Sequence, residues 1–312
     1  MQPVSSAAMM RGATVAAVLC LAWACSLQAQ QNFDSVQVHI QPVQGNVYML
    51  VGAGGNITVQ VGRDGVLMVD TSYAPLAPKI MAEIRRLNQG PLRWIVNTHV
   101  HPDHIGGNDA LARMAPRSNL EPLGIIAHEN VLNQWPRGDQ TDIGAPLDEY
   151  GTKFKDLHFN GEAIIVYHEP RAHTDGDSVV LFRGSDVVST GDIFTPEGYP
   201  FLDLKHGGSL QGEIDALNHI LELTVPAHTQ EGGTYVIPGH GRLCDEADVV
   251  EYRDMLVIVR DRVQDLIKKG RNLEQVKAAR PTLDYDGRFV AKDSFVTAEA
   301  FIESVYRSLG GQ

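Results

Sequence analysis

"NTHVHPDHIGGN", residues 97–108, sets three histidines and an aspartate inside the short run His99–His104. The stretch before it, "LRWIVNT" (92–98), reads as a strand of the buried type. If that strand runs to Thr98, His99 and His101, two positions apart, point the same way. Pro102 cannot continue a ladder and turns the chain, so Asp103 and His104 fall on the turn. Gly106 and Gly107 let the backbone fold tightly there, ahead of a helix opening at Asn108 as N-cap. One strand end therefore offers four donor side chains. Imidazole with carboxylate suits zinc and, less exclusively, iron or manganese.

Four ligands exceed the three that one catalytic zinc takes from a protein. They make better sense divided between two ions, each completed from elsewhere. Three candidates stand at the ends of other apolar strands: His173 in "EPRAHTDGD", Asp192 in "VVSTGDIF" and His240 in "YVIPGHG".

The surrounding chain alternates strands and helices, which predicts sheets covered by helices. "VQVHIQPV" and "NVYMLVG" are strands, and "ITVQVGRDGVLMVDT" is two strands around Arg63-Asp64-Gly65. "PLAPKIMAEIRRLNQG" is a helix ended by Gly90. "GIIAH", "AIIVYHE" and "SVVLFRGSDVVSTGD" supply further strands, and "GSLQGEIDALNHILEL" a further helix. The C-terminal part is helical: Val249, Tyr252, Leu256, Val259, Val263 and Leu266 repeat at helical spacing up to Gly270, and "TAEAFIESVYRSLG" is a last amphipathic helix.

The ordered set H-x-H-x-D-H, A-H-T, T-G-D and P-G-H-G resembles the metallo-β-lactamase superfamily of dinuclear hydrolases, over essentially all of the chain after its N-terminal segment. The resemblance implies an α/β fold, an αββα sandwich with C-terminal helices and the metals at one edge of the paired sheets. It implies that His99, His101 and His173 hold one Zn²⁺, that Asp103, His104 and His240 hold a second, and that Asp192 bridges them. A shared carboxylate suits that role, because two ions roughly 3.5–4 Å apart repel. Asp70, ending the apolar "VLMVDT", matches the aspartate that supports the metal ligands from behind. Where β-lactamases of this fold carry Cys or Ser, this chain has Asp192, and is there similar to glyoxalase II and the quorum-sensing lactonases.

The expected chemistry is hydrolysis of a small acyl substrate (ester, lactone, thioester or β-lactam) by hydroxide made available by the two metals, with Asp103 orienting it. Tyr199, Lys205 and His206, in the loop after Asp192, are candidates for contacting substrate, as are Asn133 and Trp135 in "HENVLNQWPRGD". Asn56 is read as a turn residue. His39, His128, His158, His168, His219 and His228 have no ligand-like context. Two rival readings are a β-lactamase proper and a non-catalytic exported accessory protein of a periplasmic oxidoreductase. A di-iron redox centre, a third use of such ligands, usually accompanies a flavin domain, and no segment reads as one.

Composition narrows the partners. The 312 residues carry a net charge of −12 with no dense Lys/Arg cluster, which excludes a nucleic-acid footprint. At the N-terminus, Arg11 precedes the apolar run Gly12–Ala24 and the small-residue stretch "CSLQAQ". This reads as a signal peptide over 1–29, too short for a membrane span, with residues 30–312 as the hydrolase domain, exported to the periplasm or beyond. Acylation at Cys25 is the rival, disfavoured by the bulky Trp23. Of the three cysteines only Cys244 then remains, so no intramolecular disulfide forms. The sequence is silent on oligomeric state.

Overall fold

The computed structural model describes residues 32–115, 123–136, 143–229, 232–290 and 295–311. The segment read as a signal peptide, with Cys25, lies outside them. The chain divides into Met1–Val36 and Gln37–Gln312. Within the described part of the first unit, Asn32 Oδ1 accepts from the Asp34 amide (3.1 Å). The second unit carries the fold.

Its first sheet runs in sequence order: β1 (His39–Gln44), β2 (Val47–Val51), β3 (Ile57–Gly62), β4 (Gly65–Val69), β5 (Leu92–Val96), β6 (Gly124–His128) and β7 (Asp148–Tyr150). Tight turns make β1 to β4 antiparallel, whereas β4 to β7 are parallel and need crossovers. The crossovers carry α1 (Ala77–Leu87), then α2 (Pro102–Ile105) and α3 (Asn108–Met114), then α4 (Glu129–Gln134). The second sheet is ordered β13 (Cys244–Asp245), β12 (Tyr235–Ile237), β11 (Val187–Ser189), β10 (Ser178–Phe182), β9 (Glu162–His168), β8 (Phe154–Phe159). α5 (Leu210–Leu223) joins the parallel pair β11 and β12. Four helices follow: α6 (Glu246–Lys268), α7 (Leu273–Ala279), α8 (Leu283–Phe289) and α9 (Ala298–Ser308).

Alternation along the strands builds the layers. In β10, Val180 and Phe182 face the first sheet, joining Val47, Met49, Leu67, Val69 and Val96 in one buried cluster. Val179 and Leu181 point the other way, into a cluster with Leu210, Ile214 and Leu217 of α5, Val249, Tyr252 and Leu256 of α6, and Phe301 and Val305 of α9. On the far side Leu76 and Ile80 line a narrow hollow together with Leu50 and Ile57. The result is an αββα sandwich with C-terminal helices. Most of this hydrophobic driving force is sheet-on-sheet and helix-on-sheet burial, the term that dominates folding.

Three local expectations are corrected, and β8 is a strand the sequence reading lacked. The helix over 77–87 stops at Asn88, which is extended and sends its side chain to Gly62 O, so Gly90 does not end it. Asn108 is not an N-cap: Gly107 precedes α3, and the buried Asn108 side chain instead bonds Asn97 and Gly144 O. β5 ends at Val96, not Thr98, because the Asp70 carboxylate takes both the Thr98 amide (2.8 Å) and its hydroxyl (2.7 Å). The same-face argument for His99 and His101 therefore fails. Finally, β8, an edge strand alternating exposed and half-buried residues, lacks the apolar run that marks the others.

Candidate metal centre

Each ligand segment leaves a strand at the same edge of the sandwich. Asp70 follows β4 with φ 63°, a left-handed conformation that a short polar side chain tolerates. His99 and His101 lie on the irregular segment after β5, and Asp103 and His104 on the single turn α2. His173 sits between β9 and β10, Asp192 just after β11 and His240 just after β12. The Ser178 amide donates to Thr98 O (2.8 Å) and ties the two sheets together beside these ligands.

The side chains form two groups around one carboxylate. His101 Nδ1 lies 3.1 Å from His99 Nε2 and 3.0 Å from His173 Nε2. Tetrahedral zinc at its usual Zn–N length holds nitrogens about 3.3 Å apart. Asp192 Oδ2 faces this group, 3.8 Å from both His99 Nε2 and His173 Nε2. Its other oxygen, Oδ1, faces the second group, 3.1 Å from His104 Nε2 and 3.5 Å from His240 Nε2. Asp103 Oδ2 completes that group, 3.2 Å from His240 Nε2. His99, His101, His173 and Asp192 make one set of converging donor atoms, and Asp103, His104 and His240 another. The donor chemistry fits Zn²⁺: imidazole and carboxylate without thiolate. His104 Nε2 and Asp192 Oδ1, 3.1 Å apart, are both buried and neither makes a hydrogen bond of proper geometry. Such atoms cost free energy unless something satisfies them.

The ligands are held from behind. His104 Nδ1 donates to Asp70 Oδ2 (2.7 Å), which fixes its Nε2 towards Asp192. His173 Nδ1 donates to Phe201 O (2.6 Å), and His101 Nε2 to Asp203 Oδ2 (2.9 Å). Asp203 also accepts from His206 Nδ1 (2.5 Å). Such partners set the tautomer and the orientation of a ligand histidine. Two glycines let backbone come close. A Cβ on Gly55 would sit 2.4 Å from the His104 ring, and one on Gly239 would sit 2.0 Å from Asp192 Oδ1. The Gly55 amide donates to Asp103 O (3.2 Å). Asn56 is buried, and its side-chain amide donates to Pro238 O and Gly241 O, strapping the β2–β3 loop to the His240 loop.

Electrostatics differ between the groups. Burial pushes His173 down to about 4 and His99 well below the usual imidazole range, so both are neutral. Burial also opposes charge on Asp192, but the neighbouring His104, His240 and His99 outweigh it and hold the carboxyl well below the usual range. For His240, burial is outweighed by Asp103 and Asp192, which raise it to about 9. The first group is the more buried: the His99 and His173 side chains are 0% and 1% exposed, and His101 reaches 17%. The second opens to solvent through His240, 40% exposed, and Asp103, 23%.

The other expected contacts scatter. Tyr199 is buried among the C-terminal helices, its hydroxyl donating to Asp286 Oδ1 (2.9 Å) and its ring stacked on Phe301, so the core takes it out of reach of the ligand groups. Lys205 and Asn133 are exposed. Trp135 packs on Val100, Ile105, Ala127 and Val131 beneath the histidine segment. His128 stacks on His168 (3.5 Å between centroids), and His168 Nε2 donates to Asp175 O, so these two are satisfied away from the ligands. Sequence reasoning missed Asp203 and Phe201. The one available signal was an aspartate three residues before His206 in a loop already under suspicion.

A family model described as the metallo-beta-lactamase superfamily matches residues 42–240. A linear primary-alkylsulfatase from Pseudomonas sp. (strain ATCC 19151) is 35% identical over 71 residues, which is 22% of this chain and 13% of that protein. The solved stereoselective inverting sec-alkylsulfatase Pisa1 from Pseudomonas sp. superposes with a TM-score of 0.66 at 17% identity, over 86% of this chain and 50% of the sulfatase chain. A metallo-beta-lactamase from Pontibacter korlensis superposes with a TM-score of 0.56 at 16% identity, over 71% of this chain and 99% of its own. The chain thus spans about half the length of the sulfatase structure it matches. These structural likenesses bear on the fold.

Proposed function

Since this chain belongs to the metallo-β-lactamase superfamily, we propose that it is a dinuclear zinc hydrolase of small acyl substrates. The observation that carries the reading is Asp192, whose Oδ2 faces His99 and His173 and whose Oδ1 faces His104 and His240. His99, His101 and His173 would hold one ion, Asp103, His104 and His240 the other, with Asp192 shared. Bound there, zinc would supply Lewis acidity and lower the pKa of water towards neutrality.

The chain's own groups do the rest. Asp103 Oδ2 lies on the solvent-open side, where an incoming substrate meets the site, and it orients the attacking water. Burial opposes its charge, but the His240 hydrogen bond and His104 keep its pKa low, so it stays an acceptor at neutral pH. His104 is clamped by Asp70 and His101 by Asp203, so neither ring reorients as charge develops. A thiol nucleophile is not needed: Cys244 is buried, and burial pushes its thiol up to about 12. Esters, lactones, thioesters and β-lactams all suit a water attack at an acyl carbon, and the aspartate at 192 favours the lactonase type of site.

The alkylsulfatase likeness over 71 residues favours a second reading, hydrolysis of an alkyl sulfate ester on the same centre. We also propose that the enzyme is exported, on the strength of Arg11 and the apolar Gly12–Ala24 run. Sequencing the N-terminus of the mature protein tests this, with Gln30 expected first and an intact Met1 counting against it.

The decisive experiment measures zinc content and hydrolysis on one sample. The panel is nitrocefin, an aryl ester, an acyl-homoserine lactone, a thioester, bis-p-nitrophenyl phosphate and an alkyl sulfate, with Asp103→Ala beside it. About two zinc per chain, turnover of an acyl substrate and an inactive variant are expected. Turnover of the alkyl sulfate alone moves the assignment to the second reading. Absence of both metal and turnover overturns it in favour of an accessory role.

A further inference from the structure

We propose that Phe201 and Phe295 form the specificity wall of this site and that the substrate carries an alkyl or aryl group laid against them. The inference rests on the reading of the first ligand group as a zinc site. The Phe201 ring centroid lies 6.0 Å from the rings of both His101 and His173. It is 44% exposed, so an aromatic face borders the metal ligands and meets solvent. Phe295, 87% exposed, stands edge-on to it with centroids 5.6 Å apart. Single exposed apolar residues are ordinary on a protein surface. A contiguous aromatic pair at the rim of a polar metal centre is a recognition feature, because water is displaced from it only by an apolar partner.

The wall is also held in place. Phe201 O accepts from His173 Nδ1 (2.6 Å), and two residues on the Asp203 amide donates to His173 O (3.0 Å) while its carboxylate takes His101 Nε2 (2.9 Å). Leu202 between them is buried in the core. The backbone is thus pinned at the Phe201 carbonyl and again at Asp203, which lowers the cost of ordering the ring on binding. The polar, solvent-open elements of the centre, Asp103 and His240, belong to the second group. A substrate seated across the two groups places its reacting bond between them and its apolar group on the His101 side.

The test uses a probe series that reads binding and needs no knowledge of the natural substrate. Straight-chain hydroxamates from acetohydroxamate to octanohydroxamate are titrated calorimetrically into the metal-loaded protein, with zinc determined on each sample. In the wild type, affinity rises with chain length by roughly thirtyfold across the series, since six added methylenes are partly removed from water. In Phe201→Ala the rise shrinks to about threefold, Phe201→Leu restores much of it, and Phe295→Ala lies between. A flat series on the zinc-loaded wild type overturns the wall while leaving the hydrolase reading intact. So does a steep series that both alanine variants keep. Protein that holds no zinc and binds no hydroxamate removes the zinc reading and the wall with it. A flat series together with a concentration-dependent dimer that Phe295→Ala abolishes assigns the aromatic pair to self-association and overturns the proposal.

Discussion

The two groups of donor side chains face one carboxylate, Asp192, but do not share an environment. The first, His99, His101 and His173, is the more buried, reaching solvent through His101, and its His99 and His173 are neutral without metal. The second, Asp103, His104 and His240, is open to solvent, and its His240 is charged at neutral pH without metal. A more buried group with two neutral rings suits an ion that stays. An open one, whose ligands must shed protons, suits an ion that meets water and substrate.

Removing what the groups share is the harshest test. Asp192→Ala takes an oxygen from both, so bound zinc falls towards one per chain and turnover drops by about a thousandfold or more, some 4 kcal/mol of lost transition-state stabilisation. Metal analysis with steady-state kinetics checks it, and two retained ions would break the bridging assignment. Next come the two supporting aspartates. Asp203→Asn should weaken zinc at the first group and Asp70→Asn at the second, each by about ten- to a hundredfold, measured by chelator competition. Equal loss from both groups in both variants would erase the distinction between them.

Acid separates the groups further. Below about pH 9 zinc must displace a proton from His240 and another from His104, which, against the effect of burial, Asp192 and Asp70 hold well above the usual imidazole range, so affinity at the second group falls by up to a hundredfold per pH unit as pH drops. At the first group His173 holds a proton only below about 4 and burial keeps His99 neutral, so neither ring makes loading depend on pH near neutrality. Calorimetry in buffers of different ionisation enthalpy should show close to two protons released per zinc for the second ion, one each from His104 and His240, and fewer for the first. The smallest effect concerns Glu213, buried on α5 with neither carboxyl oxygen hydrogen-bonded. Burial first, then Asp177 and Asp192, raise its pKa well above the usual carboxyl range. Its contribution to stability is therefore whole below about pH 4.5 and is lost as pH rises towards the folded-state value. Glu213→Gln lacks that slope, so its Tm relative to wild type should climb by a few degrees between pH 5 and 8.

Much of the sandwich was legible because apolar runs of strand length alternate with amphipathic helices. The histidine-rich segments stood out because each follows such a run, and a chain leaving a buried strand for solvent has few structural reasons to place His and Asp there. What escaped was whatever depends on contact across the fold. Asp203 and Phe201 carry no motif; they matter because their loop folds back on His101 and His173. Tyr199, close to them in sequence, turns inward to Asp286 instead. Nor could the strand pattern say that β5 ends early, since the cause is a carboxylate 28 residues away.

The edge where the ligands meet also fixes when it can exist. His101 and His173 are 72 residues apart along the chain and belong to different sheets, so neither ligand group is whole until the sheets have docked. On the proposed reading, zinc would arrive as a latch on a finished body, not as a seed for it. Chelation should leave the refolding rate nearly untouched and shorten the lifetime of the native state, because contacts made after the transition state govern escape, not entry.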